Sequence, residues 1–233
     1  MTIVALEDLR TRSQFIRDLT TNGCAYVVEG PSGFARVPSP RSPGHDVELI
    51  WTSRDEALRW ADALAPHPKI VTLSLDVLLS RHLAHLAAER RLLGVNWSDV
   101  PSEPEIGAAD LDTQVRRLLI ARFVETVTKS RQVWVLKHAD EPLTLITRHP
   151  AGGEVLPVFA DRASAEHAIE GHCSHAAPTR IPFADFVHKT IFWCVEGRRR
   201  IAPAYRPGPG QVELHAWEMK AMLSGHPAIR RVA

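Results

Sequence analysis

Cysteine is scarce in this chain, with three among 233 residues, at positions 24, 173 and 194. Three widely spaced thiols build no disulfide framework and fit a reducing compartment. Aromatic residues make up only 6% of the chain, so a groove of base-stacking rings has little to draw on. No uninterrupted apolar run approaches the ~18 residues of a membrane span. Acids at Glu7 and Asp8 interrupt any basic-then-apolar leader. A cytoplasmic, membrane-free protein is the expectation. Also missing are a glycine-rich phosphate loop, a nucleophile elbow, a zincin motif and a paired-carboxylate signature. The nearest glycine-rich stretch, Arg206-Pro207-Gly208-Pro209-Gly210, has proline where a phosphate cradle needs N–H donors, and reads as a turn.

What is present is an ordinary globular composition, 45% hydrophobic and 24% charged, enough for one large core or two small ones. The net charge of +1 conceals an asymmetry. Residues 1–113 carry 11 Lys/Arg against 16 Asp/Glu, and residues 114–233 carry 17 against 11. Opposite signs give the halves different partners or draw them together, whereas neither half is extreme enough to demand nucleic acid.

The chain repeats itself. Displaced by 108 positions, Phe15 falls on Phe123, Val27 on Val135, Gly44 on Gly152, Arg54 on Arg162, His67 on His175, and Arg90-Arg91 on Arg198-Arg199. Chemical class carries the match further than identity does. Tyr26 meets Trp134, Trp51 meets Phe159, and Leu75, Leu78 and Leu83 meet Phe183, Phe186 and Ile191, with no gap from position 15 to 97. Exceptions are informative too: Glu48 faces Leu156, Trp60 faces Ala168, and Leu92 faces Arg200.

One structural reading therefore serves both copies. Phe15, Ile16 and Leu19 have helical spacing, and Asn22-Gly23 stops that helix. Strands are predicted at Ala25–Val28, Val47–Trp51, Ile70–Leu73 and Leu92–Asn96, with a long loop from Gly30 to Gly44. A helix from Thr52 or Ser53 to about Leu64 carries a capping box through Glu56. In the second copy Asp161 takes the capping place. A second helix, capped by Ser74, runs to about Arg91. A loop over Ser98–Ile106 precedes a helix near 109–129 that has no stop signal, because Val115, Leu118, Leu119, Phe123 and Val127 keep one apolar face going. The expected fold class is α+β: two similar small domains, 1–113 and 114–233, each a sheet of about four strands packed with helices. The long shared helix that joins them reads as a stiff connection.

Leu92-Leu93-Gly94-Val95-Asn96-Trp97-Ser98 and Leu156-Pro157-Val158-Phe159-Ala160-Asp161-Arg162-Ala163-Ser164-Ala165 carry a resemblance. They resemble a small bacterial family known as domain of unknown function 2750. Its pattern has an aromatic strand similar to Val133-Trp134-Val135-Leu136, then a leucine-proline-valine-tryptophan strand, and later a valine-asparagine-tryptophan strand. The resemblance covers about 15–106 and 123–223 and implies a duplicated unit of this fold. The first copy departs at Glu48-Leu49-Ile50-Trp51, the second at Ala202-Pro203-Ala204-Tyr205. The family offers no catalytic residue to carry over.

Several residues suggest chemistry. His172, Cys173 and His175 are close enough in sequence to share a zinc ion, although a fourth ligand is not evident. His82, His85 and Glu89 fall at helical spacing, as a solvated face or a small polar site. Cys194 pairs with Leu86 and reads as an inert core thiol. Arg90-Arg91 and Arg198-Arg199 end helices, where they complement the helix dipole or grip an anion. Trp60, late on a helix and unmatched in the other copy, suits a protein interface or a partly buried site against the neighbouring copy. Together these favour a non-catalytic protein-interaction module. One concrete version is an immunity or antitoxin-type protein that blocks a bacterial toxin, with the acidic first copy meeting a basic partner. The alternative is a small-molecule or metal-dependent enzyme with a pocket between the repeats.

Overall fold

The computed structural model describes residues 3–98, 104–147, 152–172, 175–205 and 211–225. It divides into two compact units, Met1–Val115 and Arg116–Ala233.

In the first unit, helix α1 (Ile3–Asn22) buries Phe15, Ile16 and Leu19 and ends at Gly23, whose φ of +71° suits glycine. Strand β1 (Cys24–Gly30) follows, then β2 (Gly33–Phe34), β3 (Arg36–Pro38), β4 (Asp46–Ile50), helix α2 (Arg54–Leu64) and β5 (Lys69–Ser74). A helical stretch comes next: α3 (Leu75–Val77), a π-helical turn π1 (Leu78–His82) and α4 (Leu83–Ala88). Strands β6 (Leu92–Val95) and β7 (Glu105–Gly107) lead into α5 (Ala108–Ser130). β1 pairs antiparallel with β2 and β5. β4 pairs antiparallel with β3 and parallel with β6, and β6 pairs antiparallel with β7. One antiparallel bridge, Tyr26↔Trp51, joins the two sheets.

The division between the units falls inside α5, whose Leu111 and Val115 are buried and whose Phe123 and Val127 enter the core of the second unit. That unit continues with β8 (Gln132–His138), β9 (Glu141–Pro142), β10 (Leu145–Ile146), β11 (Glu154–Phe159), α6 (Arg162–His172) and β12 (Ala177–Pro182). Then come α7 (Phe183–Asp185), a second π turn π2 (Phe186–Thr190), α8 (Ile191–Glu196), β13 (Arg200–Pro203), β14 (Leu214–His215) and α9 (Ala216–Leu223). Its strands form one sheet in the order β12-β8-β11-β13-β14, with β11 and β13 parallel. The first unit has the same neighbours, β5-β1-β4-β6-β7, but its central link is reduced to the single bridge.

The register of 108 reaches into backbone detail. Left-handed residues recur at Gly23 and Arg131, Gly44 and Gly152, Arg90 and Arg198, and Asn96 and Ala204. Leu75 N–H donates to the Gly23 carbonyl at 2.7 Å, and Phe183 N–H to the Arg131 carbonyl at 2.9 Å. The π turns also fall 108 apart. A π turn holds an extra residue in its i→i+5 ring, so side chains beyond it leave the 3.6-residue phase of the helix before it.

Three expectations are corrected. The helix expected from Ser74 to about Arg91 is interrupted by π1 and ends at Ala88. The loop expected over 98–106 contains the start of β7. The capping box at Ser53 does not form: Ser53 makes no side-chain cap, and Asn96 Oδ1 instead accepts from Thr52 N–H at 2.8 Å. Asn96 reaches that place because it stands left-handed, at φ +48°, a conformation asparagine tolerates better than most residues. In the second unit Asp161 caps α6 as expected, accepting from Ser164 N–H at 2.8 Å.

Candidate functional site

The first unit contains a buried carboxylate where the second has an apolar side chain. Glu48 lies mid-strand on β4, 1% exposed, at the position of the fully buried Leu156 on β11. His82 Nε2 donates to Glu48 Oε1 at 2.5 Å, and Arg36 Nε lies 3.7 Å from Oε2. Oε2 is buried with no hydrogen-bond partner. The Phe34 ring stands edge-on to the His82 ring, centroids 5.3 Å apart. Every member of this group is replaced in the second copy, where Pro142, Thr144, Leu156 and Thr190 occupy the matching positions. His82 closes π1, and that turn aims it at β4, while His85 faces solvent and pairs with Glu89 at 3.3 Å. The single polar face expected of His82, His85 and Glu89 is thereby split.

A second polar pair is common to both copies. Ser39 Oγ donates to Glu105 Oε1 at 2.8 Å and Oε2 at 2.9 Å, and Thr147 Oγ1 donates to Glu213. Ser39 Oγ also accepts from the backbone N–H of Ser42 at 2.7 Å. This clip ties the loop after β3 to β7 and is structural in character. Beside it, Arg41 grips Asp8 through two nitrogens, at 2.5 and 2.9 Å. The hydrogen bond from Arg41, more than its charge, holds the Asp8 carboxyl below its ordinary range. A depressed folded-state pKa gives stability that is complete above the unfolded value near 3.8 and lost as pH falls through the folded value. Asp8→Asn is therefore expected to flatten the acid limb of the stability curve below about pH 4; acid titration of unfolding by circular dichroism measures it.

The surface of the second unit is the more distinctive. Phe192 and Val195, i and i+3 on α8, are 58% and 49% exposed, and Trp217 on α9 is 61% exposed. The two helices pack on a shared core through Ile191, Cys194, Ala216 and Met219. The matching residues of the first unit are Ala84, Ala87 and Ala109. Trp217 stacks on His215, ring planes 15° apart, and the Arg199 guanidinium lies 3.9 Å from the Trp193 ring centroid. These positions leave the core untouched, so the difference between copies is a difference of surface.

The remaining sequence candidates fall as follows. Trp60 is half-buried, and its indole Nε1 donates to the Trp97 carbonyl at 3.1 Å, beside Trp51, which donates to the same oxygen at 2.9 Å. Trp60 thus belongs to the first unit's own core and is no exposed anchor. Arg90 and Arg198 are the left-handed residues that end α4 and α8. Arg91 N–H donates to the Leu86 carbonyl at 2.9 Å and Arg199 N–H to the Cys194 carbonyl at 2.7 Å, the six-to-one bond of a Schellman motif. The side chains of Arg91 and Arg199 are engaged by Glu89 at 2.5 Å and Glu154 at 2.6 Å. His175 is exposed, with its carbonyl accepting from His138 Nδ1 at 3.0 Å. Cys173, the His172 side chain and the Arg206–Gly210 turn lie outside the described residues. Among the described residues no group of three or more His, Cys, Asp or Glu could hold a metal ion, and no helix is long and apolar enough to cross a membrane.

Cys194 is fully buried, and desolvation pushes its thiol up to about 12. It should resist a thiol reagent at pH 8 in the folded protein and react only after denaturation, since the thiolate is the reactive species; labelling followed by mass spectrometry reads this directly.

The model of the family described as "Protein of unknown function (DUF2750)" matches residues 12–115 and again 120–223. The chain belongs to that family, as a tandem duplication of its domain. No curated protein matches the sequence. Among solved structures, the chain is similar to Anabaena Tic22, described with protein transport, at 13% identity over 82% of this chain and 92% of that one, with a TM-score of 0.25. It is similar to Tic22 from Plasmodium falciparum at 11% identity over 75% and 85%, with a TM-score of 0.25. Likeness at this level does not bear on function.

Proposed function

We propose that this chain is a non-catalytic protein-interaction module that docks another protein through α8 and α9 of its second repeat. One observation carries the reading: Phe192, Val195 and Trp217 stand exposed where the sister repeat, on the same frame, has three alanines. Single exposed apolar residues are unremarkable, but large ones on two adjacent helices resemble the anchor of an interface. The version first drawn from the sequence, an immunity or antitoxin-type protein, remains a special case in which the docked protein is a toxin. The test compares the wild-type chain with the F192A/V195A/W217A variant as bait in extract of the native host. A stoichiometric protein recovered by the first and lost by the second supports the reading. Equal recovery by both baits, or none by either, removes it. Rescue of growth by co-expression against a toxin identified in this way distinguishes the immunity version.

A second reading, catalysis, has one observation in its favour: an imidazole oriented by a buried carboxylate, His82 on Glu48, is an arrangement suited to general-base work. Hydrolytic turnover by the purified chain that vanishes in E48L/H82T, with Tm retained, would establish it.

A further inference from the structure

We infer that the partner of the α8–α9 face is an acidic amphipathic protein segment, one whose large apolar side chains are flanked by Asp or Glu. This rests on the docking role proposed above and deepens it.

The inference comes from charge. Over residues 183–200 and 214–223 the second repeat carries five Lys/Arg against three Asp/Glu. The matching residues of the first repeat, 75–92 and 106–115, carry three against four. Local pairing shows which charges are left. Of the acids, Asp185 is taken by Lys189 at 2.9 Å, while Glu196 and Glu218 keep their charge, Glu218 accepting from the His215 N–H at 2.7 Å. Of the bases, Arg199 is held by Glu154, but exposed Arg198 and Lys220 have no ion pair among the described residues. Arg198 closes the Schellman turn that ends α8, its N–H on the Val195 carbonyl at 3.1 Å, and Lys220 lies one turn along α9 from Trp217. Exposed apolar anchors on the same two helix ends as unpaired cations favour a partner of the opposite pattern, because interface charges steer encounter and penalise like-charged partners. The half of the chain that bears this face is the basic half, which extends the same preference to longer range.

The probes are two synthetic amphipathic peptides with one shared Leu/Phe face, flanked by Glu in one and by Lys in the other. Fluorescence anisotropy with the full chain should show the Glu peptide binding about tenfold more tightly at low salt, with the gap closing at high salt. R198E/K220E should reverse the preference, and F192A/V195A/W217A should abolish binding of both peptides. The alanine variants place on α8 and α9 the residues the first repeat already carries there, so an unchanged Tm is expected and checks that the fold is intact. Equal affinity for both peptides, lost in the triple-alanine variant, overturns the acidic partner while leaving the docking face standing. Binding of neither peptide by a monomeric chain overturns both. Sedimentation of the wild type as a dimer that the triple substitution dissolves would make a second copy of the chain the occupant, and would overturn the acidic segment.

Discussion

His82→Thr alone should destabilise the first repeat by about 3–5 kcal/mol, and adding Glu48→Leu should restore most of that loss. Removing the imidazole alone leaves a carboxylate that is 1% exposed with Oε1 unpaired as well as Oε2. Among the described residues its remaining ion-pair partner, Arg36, stands 3.7 Å away and is too distant for a hydrogen bond. Removing both partners replaces the pair with the residues that the second repeat already uses, Leu156 and Thr190, on the same strand and the same π turn. A buried pair exchanged for a well-packed apolar residue is often neutral or stabilising, whereas half a pair is costly. Urea unfolding of the two singles and the double closes the cycle. A restored double means that stability does not explain Glu48 and His82; a double as unstable as H82T would show that the first repeat has repacked around the pair and depends on it.

The F192A/V195A/W217A chain should keep its stability to within about 0.5 kcal/mol and lose its partner by roughly a hundredfold or more. Both halves of that expectation follow from exposure. Side chains 58%, 49% and 61% exposed contribute little to the fold of the free protein. At the centre of an interface the same Phe and Trp would be wholly desolvated, and truncating such anchors typically costs about 2 kcal/mol or more each. Calorimetric melting measures the first half, and titration against the recovered partner measures the second. Equal affinity in the two chains would place the docking surface elsewhere.

The frame of this protein is legible in its sequence because the repeat supplies a second reading of every element. Apolar matches such as Leu78 with Phe186 and Leu83 with Ile191 mark buried positions whichever copy is read. The long helix was visible for the same reason that it forms, an apolar face with no glycine or proline to stop it. The candidate site was half legible. Glu48 opposite Leu156 was a visible departure, but its partner was not, because a π turn has no local composition signal and it redirects His82 out of helical phase. The clip of Ser39 with Glu105 could have been found by carrying the register past 97, where Thr147 and Glu213 repeat it. Trp60 misled because two indoles sharing the Trp97 carbonyl is a tertiary fact that spacing does not encode. The α8–α9 surface is the reverse case: nothing in the composition of Phe192, Val195 and Trp217 marks them as outward, and only burial places the core one residue away on each helix, at Ile191, Cys194 and Ala216.

Helix α9 (Ala216–Leu223) begins 108 positions after the start of α5, and a turn at Gly225, φ +69°, follows it. Where α9 ends, α5 runs on as the counterpart of α1. The junction between the copies is therefore a weld within one helix, made without a spacer. Nothing about that weld is particular to two copies. A third cassette joined in phase at Ser224, with Gly225 removed, would meet the same kind of helix end that the second copy meets at Val115.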